Sequence, residues 1–143
     1  MDAAILDRHP LVVHATPDNW RTIGQGPVDD DAGVDPRDEG AIQGLISQAS
    51  VGAGDLSFGL GRFQPGEYHL RHQHPHGSEW YYFVGGTCIV YLDDDAIRVG
   101  PGSAVYIPPG TIHAVKNDSD GVVEMLWGVS AGDYGALALV YDE

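Results

Sequence analysis

Apolar and polar residues alternate in short segments along the chain from residue 50 onward. Leu56, Phe58 and Leu60, for example, are separated by small or polar residues, which is typical of a strand with one buried face. Turns that contain glycine or proline separate the segments, and no long helical pattern interrupts them. The pattern predicts an all-β fold, a closed or nearly closed antiparallel barrel, because closure leaves no strand edge exposed. The predicted strands cover residues 56–60, 68–73, 79–84, 87–92, 96–99, 104–107, 112–116, 122–129 and 136–141.

The first 43 residues differ from the rest of the chain. They contain nine acidic residues and a breaker sequence rich in glycine at 24–27, and they show little apolar periodicity. We therefore expect residues 1–43 to form a mostly irregular arm with an exposed loop near 28–39. Residues 44–143 are predicted to form the barrel domain.

Two shorter apolar patterns lie within and just beyond this arm. Residues 11–13 are apolar and could add a strand to the barrel. In the segment 41–47, Ile42, Leu45 and Ile46 have the spacing of one helix face, although the segment is short for a helix.

The charge of the chain excludes two classes of partner. Its 21 acidic residues against 7 basic ones give a formal net charge of −14. Nucleic-acid binding depends on basic residues that neutralise phosphates, and anionic membrane surfaces attract the same residues. We expect the chain to bind neither nucleic acid nor a membrane, and no apolar run approaches the roughly 18 residues of a membrane span.

The single cysteine, Cys88, cannot form a disulfide within the chain. It precedes the apolar residues Ile89 and Val90, and a thiol in such a strand behaves as a small hydrophobic group. Near the N-terminus the acidic residues Asp2 and Asp7 break the pattern of a secretory leader. The predicted location is the cytoplasm.

A cluster of histidines provides the candidate chemistry. His72 and His74 are two residues apart, so on a strand both side chains point to the same face. Glu79 follows a turn-forming loop and can bring a carboxylate to the same point. Two histidines and one carboxylate on one side of a metal are typical of non-haem Fe(II) sites. His113, on a later predicted strand, could complete a set of four ligands for one divalent metal: Fe(II) above all, with Mn, Zn, Ni or Co possible.

The spacing of these residues resembles both sequence motifs of the cupin superfamily. Gly66 is followed by His72, His74, Glu79 and Gly86 with five, one, four and six residues between them. After fifteen residues, Gly102 is followed by Pro108, Gly110, His113 and Asn117 with five, one, two and three residues between them. The resemblance covers about residues 56–130 and is closest to small single-domain microbial cupins. It implies a double-stranded β-helix, that is, a jelly-roll-like barrel, with the metal inside it near one mouth.

Three further residues are candidates for a role near the metal. Tyr81 shares strand parity with Glu79 and should point inward. Its position resembles that of a proton-abstracting tyrosine in cupin lyases that act on dimethylsulfoniopropionate, with core packing as the alternative. His69 has the opposite parity to His72, and His76 lies in the loop before Glu79. Neither falls on a ligand position, and a role in substrate binding or proton transfer at the mouth stays open for both.

The fold alone does not determine the reaction. The leading hypothesis is a metal-dependent enzyme for a small organic substrate, a non-haem Fe(II) dioxygenase in which Glu79 could also act as a labile ligand or base. The alternatives are a redox-neutral lyase or isomerase with Tyr81 as base, and a module that binds a small ligand without turnover. By analogy with small cupins we also expect a homodimer formed through exchanged N-terminal strands, with residues 9–20 as the exchanged part.

Overall fold

The computed structural model describes residues 2–25 and 34–143, and part of the loop predicted near 28–39 lies outside these ranges. The described chain is nearly all β, as predicted. Short helical turns are found at Ile23–Gln25, Gln48–Val51 and Tyr134–Leu137. The strands are β1 Arg21–Thr22, β2 Ala41–Ile46, β3 Ser57–Phe63, β4 Tyr68–Gln73, β5 Glu79–Gly85, β6 Cys88–Leu92, β7 Asp95–Val99, β8 Ala104–Ile107, β9 His113–Lys116, β10 Val123–Val129 and β11 Val140–Tyr141.

Two antiparallel sheets enclose one core. The first has the strand order β1-β2-β3-β10-β5-β8 and the second β11-β4-β9-β6-β7. Alternate residues of β3 and β5 are buried, and Phe63 and Phe83 from these strands pack with Val90 and Val115 from the second sheet. Cys88 is fully buried in this core, where it serves as a small apolar side chain.

The segment with helix-like spacing forms a strand instead. Residues 41–46 are β2, which pairs with β3 along most of its length. Six residues are too few for a stable helix, whereas the edge of β3 offers a complete row of hydrogen-bond partners. A helical turn begins only after Ser47, whose side chain caps it.

The last predicted strand is largely replaced by another element. Of residues 136–141, only Val140–Tyr141 pair with β4 as β11. The preceding residues form the helical turn at Tyr134–Leu137, capped by the Asp133 side chain. This turn brings Tyr134 and the carbonyl of Ala138 to the barrel interior.

Among the described residues before β1, Thr16 and Trp20 contact the barrel. The side chain of Gln43 exchanges two hydrogen bonds with the backbone of Thr16, at 2.8 and 2.7 Å. The guanidinium of Arg62 lies 4.3 Å from the centre of the Trp20 ring, a cation–π contact. Residues 11–13 do not form the strand considered for them, and their apolar side chains are exposed. Within the described ranges, no helix is long and apolar enough to cross a membrane.

Candidate metal centre

Four side chains from both sheets meet inside the barrel. His72 lies in β4 and His74 directly follows it, so their side chains share a face. His113 begins β9, and its Cα is the partner of His72 in the ladder between β4 and β9. Glu79 begins β5 in the opposite sheet. All four residues are buried, and their ligand atoms lie within 4.8 Å of one another.

A backbone carbonyl orients each of the three imidazoles. A carbonyl oxygen only accepts hydrogen bonds, so the Nδ1 atom that contacts it carries the hydrogen. The Nε2 atom of the neutral ring then keeps the lone pair that a metal ligand needs. The Nδ1–oxygen distances are 2.6 Å from His72 to Leu70, 2.8 Å from His74 to Ala138 and 2.9 Å from His113 to Thr111.

The remaining contacts of the cluster fit a cation. Oε2 of Glu79 is 3.1 Å from Nε2 of His113 and 3.2 Å from Nε2 of His74. Nε2 of His72 is buried, and no described residue forms a hydrogen bond with it. Such an orphaned polar atom costs free energy. A divalent transition metal bound by the three Nε2 atoms and the carboxylate would satisfy His72 and balance the charge of Glu79.

The pKa values of the metal-free cluster show how it balances its own charge. Burial raises the pKa of Glu79, but hydrogen bonds and positive charge from His113 and His74, in the forms of these rings that also carry a hydrogen on Nε2, outweigh burial and lower this pKa to about 2. Burial lowers the pKa of His74, yet the hydrogen bond and charge of Glu79 raise it above its ordinary value. The pKa of His72 is well below its usual range because of burial and the nearby histidines. A proton on His74 therefore offsets the Glu79 charge, and a metal would displace that proton.

A cavity of about 110 Å³ lies beside the four candidate ligands, and Glu79 is one of the residues that line it. Arg21 is exposed and marks the side on which the cavity meets solvent. Most of the wall is apolar, so a ligand in the cavity would be held largely by hydrophobic contact. The apolar wall includes Ile42, Phe63, Val115, Met125 and Trp127.

Tyr81 points into this cavity. Residues 79, 81 and 83 of β5 are buried while the residues between them are exposed, which is the alternation that the sequence predicts. The Tyr81 ring lies 6.3 Å from the ring of His113 and 6.2 Å from that of Phe83. Burial, followed by the charge of Glu79, raises the pKa of the Tyr81 hydroxyl well above its ordinary value. Its place fits both packing and contact with a ligand, and the role of Tyr81 as a base stays a prediction.

The two histidines outside the motif have different places. His76 is exposed in the loop before β5. His69 is buried and lines the cavity, although its parity relative to His72 predicts the opposite face. The reason is an irregularity in the β4–β9 ladder between His69 and His72, which lets both face inward. Strand parity alone cannot reveal such a bulge.

Sequence reasoning also missed two polar residues near the metal ligands. The hydroxyl of Tyr134 is 2.9 Å from Nε2 of His74, so it touches the ligand cluster itself. Asp38 is 2% exposed, and its carboxylate contacts His69 inside the cavity. Both lie in segments without apolar periodicity, and the sequence carries no signal that separates them from surface residues.

The family comparison covers the barrel. A family model described as a cupin domain matches residues 59–129, which include all four ligand candidates. The tetracenomycin polyketide synthase protein TcmJ from Streptomyces glaucescens is 27% identical over 81 residues, 57% of this chain and 54% of that protein. Protein SchB from Streptomyces halstedii is 30% identical over 91 residues, 64% of this chain and 66% of that protein. The chain thus spans about half to two thirds of the length of these relatives.

Solved structures share the fold at low sequence identity. A double-stranded β-helix protein from Klebsiella pneumoniae has a TM-score of 0.63 at 17% identity, covering 73% of this chain and 85% of that one. An oxalate oxidase has a TM-score of 0.60 at 19% identity, covering 72% of this chain and 55% of that one. A predicted oxalate decarboxylase from Thermotoga maritima has a TM-score of 0.60 at 19% identity, covering 65% of this chain and 81% of that one. At such identities the likeness establishes the fold of this chain and leaves its reaction open.

Proposed function

Because the chain belongs to the cupin superfamily and gathers three histidines and a glutamate inside its barrel, we propose that it is a metal-dependent enzyme for a small organic molecule. The observation that carries this proposal is the orientation of the ligand atoms. Three Nδ1 atoms are held by backbone carbonyls, and the buried Nε2 of His72 lacks a partner among the described residues. His72, His74, Glu79 and His113 would hold the metal.

The proposed substrate is a largely apolar ring compound that carries oxygen substituents. The apolar wall favours such a body, and an oxygen substituent could bind at the metal. The cavity, at about 110 Å³, is smaller than the roughly 150 Å³ known to accommodate benzene, so a single ring would be enclosed only in part and the rest of the substrate would extend past the mouth. The relation to a tetracenomycin polyketide synthase protein supports a polyketide-like compound.

A small dicarboxylate such as oxalate is a weaker candidate. Binding a dianion inside the barrel requires basic groups that face it. Among the described lining residues, Arg21 is the one with a permanent positive charge, and it is exposed at the rim. The net charge of −14 further opposes the approach of dianions.

The proposed reaction is oxygenation with Fe(II). Fe(II) held at this site would supply the binding and activation of O₂. Both oxygen atoms enter the product in a dioxygenation, so the reaction needs no separate reductant. The chain itself would exclude water through the apolar wall and orient the substrate. Glu79 could accept a proton from a substrate hydroxyl, because a carboxylate detaches and accepts protons more easily than a metal-bound imidazole.

The test is oxygen consumption by protein loaded anaerobically with Fe(II). Simple phenols are added with O₂, and the products are examined by mass spectrometry after the use of ¹⁸O₂. Both labelled atoms in one product, with loss of activity in Glu79→Gln and not in Glu124→Gln, would support the dioxygenase. Glu124 is exposed on β10 and provides the matched control. Product formation without O₂ uptake would rule the dioxygenase out.

A redox-neutral lyase or isomerase is the second candidate, because Tyr81 faces the same cavity as Glu79. In that reaction the Tyr81 hydroxyl group would exchange a proton with the substrate. Tyr81→Phe should then reduce kcat by about 100-fold or more with little change in substrate binding, since acid–base catalysis contributes effects of this size. Tyr82→Phe is the control, because Tyr82 is 41% exposed on the other side of β5. Ligand-induced stabilisation without any turnover would instead favour a binding protein.

A further inference from the structure

A buried pair of polar residues faces the cavity beside the candidate metal ligands. Nδ1 of His69 is 2.7 Å from Oδ1 of Asp38, and both residues are among those that line the cavity. His69 reaches this position only because the β-bulge between His69 and His72 turns it inward. Such bulges often redirect side chains next to active sites.

The hydrogen bonds around Asp38 determine which nitrogen of His69 carries the hydrogen. Its Oδ1 also accepts from the backbone N–H of Leu70 at 3.0 Å, and its Oδ2 accepts from the hydroxyl of Tyr141 at 2.9 Å. The Tyr141 hydroxyl itself accepts from the N–H of Asp35, so its hydrogen is directed to Asp38. Asp38 thus acts as an acceptor in all these contacts, and His69 donates through Nδ1. In the neutral ring, Nε2 is left as an acceptor for a ligand group that donates a hydrogen.

His69 lies next to the metal ligands. The centre of its ring is 4.3 Å from that of His72, which is close enough for direct contact. The centre of its ring is also 6.5 Å from that of Phe63, which is part of the apolar wall. A ligand that fills the cavity and reaches the metal ligands would therefore pass along His69.

From this arrangement we propose that His69, held by Asp38, is a second polar anchor for the substrate. The inference rests on the proposed function and narrows its substrate class: the ring carries one oxygen that binds at the metal and a nearby hydroxyl that donates a hydrogen bond to Nε2 of His69. Asp38 is the positioning residue, because it acts on the substrate only through His69.

A purely structural role accounts for only part of the arrangement. Asp38 joins the segment before β2 to β4 and β11 through Leu70 N–H and the Tyr141 hydroxyl. These two contacts alone would be enough to hold the three segments together. The imidazole adds a second buried polar group that faces the cavity, which is unfavourable unless a ligand or water completes its hydrogen bonding.

The test uses the full chain loaded with one equivalent of zinc, which has no redox chemistry. Binding of two matched ligand pairs is measured by calorimetry: catechol against 2-methoxyphenol, and resorcinol against 3-methoxyphenol. In each pair, methylation removes one donated hydrogen and keeps the ring. The wild-type chain should prefer the diol by about tenfold in at least one pair, the value of one satisfied buried hydrogen bond.

Variants distinguish the loss of the His69 hydrogen bond from the loss of the metal. His69→Phe should abolish this preference while its zinc content stays near one equivalent, and His69→Gln, whose amide oxygen can accept, should restore part of it. His76→Gln changes an exposed histidine and should leave the preference intact. If His69→Phe fails to fold, ¹⁵N spectra of the wild-type chain replace it: the imidazole nitrogen signals of His69 should shift with the diol and not with its methyl ether.

The outcomes distinguish the two proposals. Equal preference for the diol in wild type and His69→Phe, or the absence of the ¹⁵N shift, would overturn the anchor and leave the metal enzyme standing. If the zinc-loaded wild-type chain binds none of the four phenols, the proposed substrate class fails, and the anchor fails with it.

Discussion

Nε2 of His113 lies 3.1 Å from Oε2 of Glu79, although the two residues are 34 positions apart and belong to different sheets. The contact exists because β5 and β9 each begin with one of these residues on the same side of the barrel. It joins the only carboxylate of the cluster to a histidine that could bind the same cation.

Glu79→Gln should weaken metal binding by at least about tenfold. The substitution removes the negative charge of the cluster and keeps the shape of the side chain, and even the loss of an outer-shell partner of a metal ligand costs 10- to 100-fold in affinity. The measurement is metal per chain after dialysis against graded concentrations of a chelator. Glu124→Gln, the exposed control, should match the wild type. Unchanged metal retention by Glu79→Gln would show that the carboxylate is not a ligand.

Metal affinity should rise with pH. Burial lowers the pKa of His74, but Glu79 raises it overall, so the protonated form of His74 persists above the pH at which an ordinary histidine loses its proton. A metal must displace this proton, so its binding is weak at low pH and strengthens as the pH rises through the raised pKa. Competition with a zinc indicator at several pH values would measure the change. Affinity that stays constant from about pH 5.5 to about pH 8 would contradict it.

The four ligand candidates were predictable because the spacing in the cupin motifs determines which side chains point to the same face of a strand. His72 and His74 share a face at a spacing of two, and the turns marked by Gly66, Gly86 and Gly110 all have positive φ. The Asp38–His69 pair was not predictable in the same way. A bulge reverses the parity of His69, and Asp38 comes from a segment whose place depends on long-range contacts with β4 and β11.

Two elements at the margins of the barrel differ from the sequence pattern, each for its own reason. Ile42, Leu45 and Ile46 have helix-like spacing, but their segment forms a strand because it pairs with β3. This pairing exists only in the folded chain, so local sequence does not reveal it. In the last predicted strand, the Asp133 cap favours a helical turn over residues 134–137. Local pattern therefore predicted the barrel, while tertiary pairing determined β2 and a local side-chain cap determined the turn before β11.

Gly86→Ala should destabilise the fold. Gly86 has a φ of +74°, and an added Cβ would overlap the backbone carbonyl of Val122, which cannot move aside without disturbing β10. We expect a loss of about 1–3 kcal/mol in the free energy of unfolding, measured with guanidinium on the metal-free protein. Gly121→Ala is the control, because a Cβ there meets nothing within 4 Å. Equal stability of the two variants would refute the steric argument.

Removal of residues 1–20 should leave the barrel folded and turn a dimer into a monomer. Within residues 1–20, Thr16 and Trp20 contact the chain's own barrel, whereas Ile5, Leu6 and Leu11 are exposed and available to a second copy. Light scattering of the full and truncated chains measures the mass. If the truncated chain is still a dimer, residues 9–20 do not hold the dimer together. If the full chain is a monomer, the predicted dimer does not exist.

We expect His72, His74, Glu79 and His113 to bind one metal ion. The most direct measurement is elemental analysis of protein purified without added metal and without a metal-affinity tag. We expect close to one equivalent of a divalent transition metal per chain, and near-complete loss of it in His72→Ala. Negligible metal in the wild-type chain, persisting after attempted reconstitution with Fe(II), Mn, Zn, Ni and Co, would show that these four residues do not form a metal site.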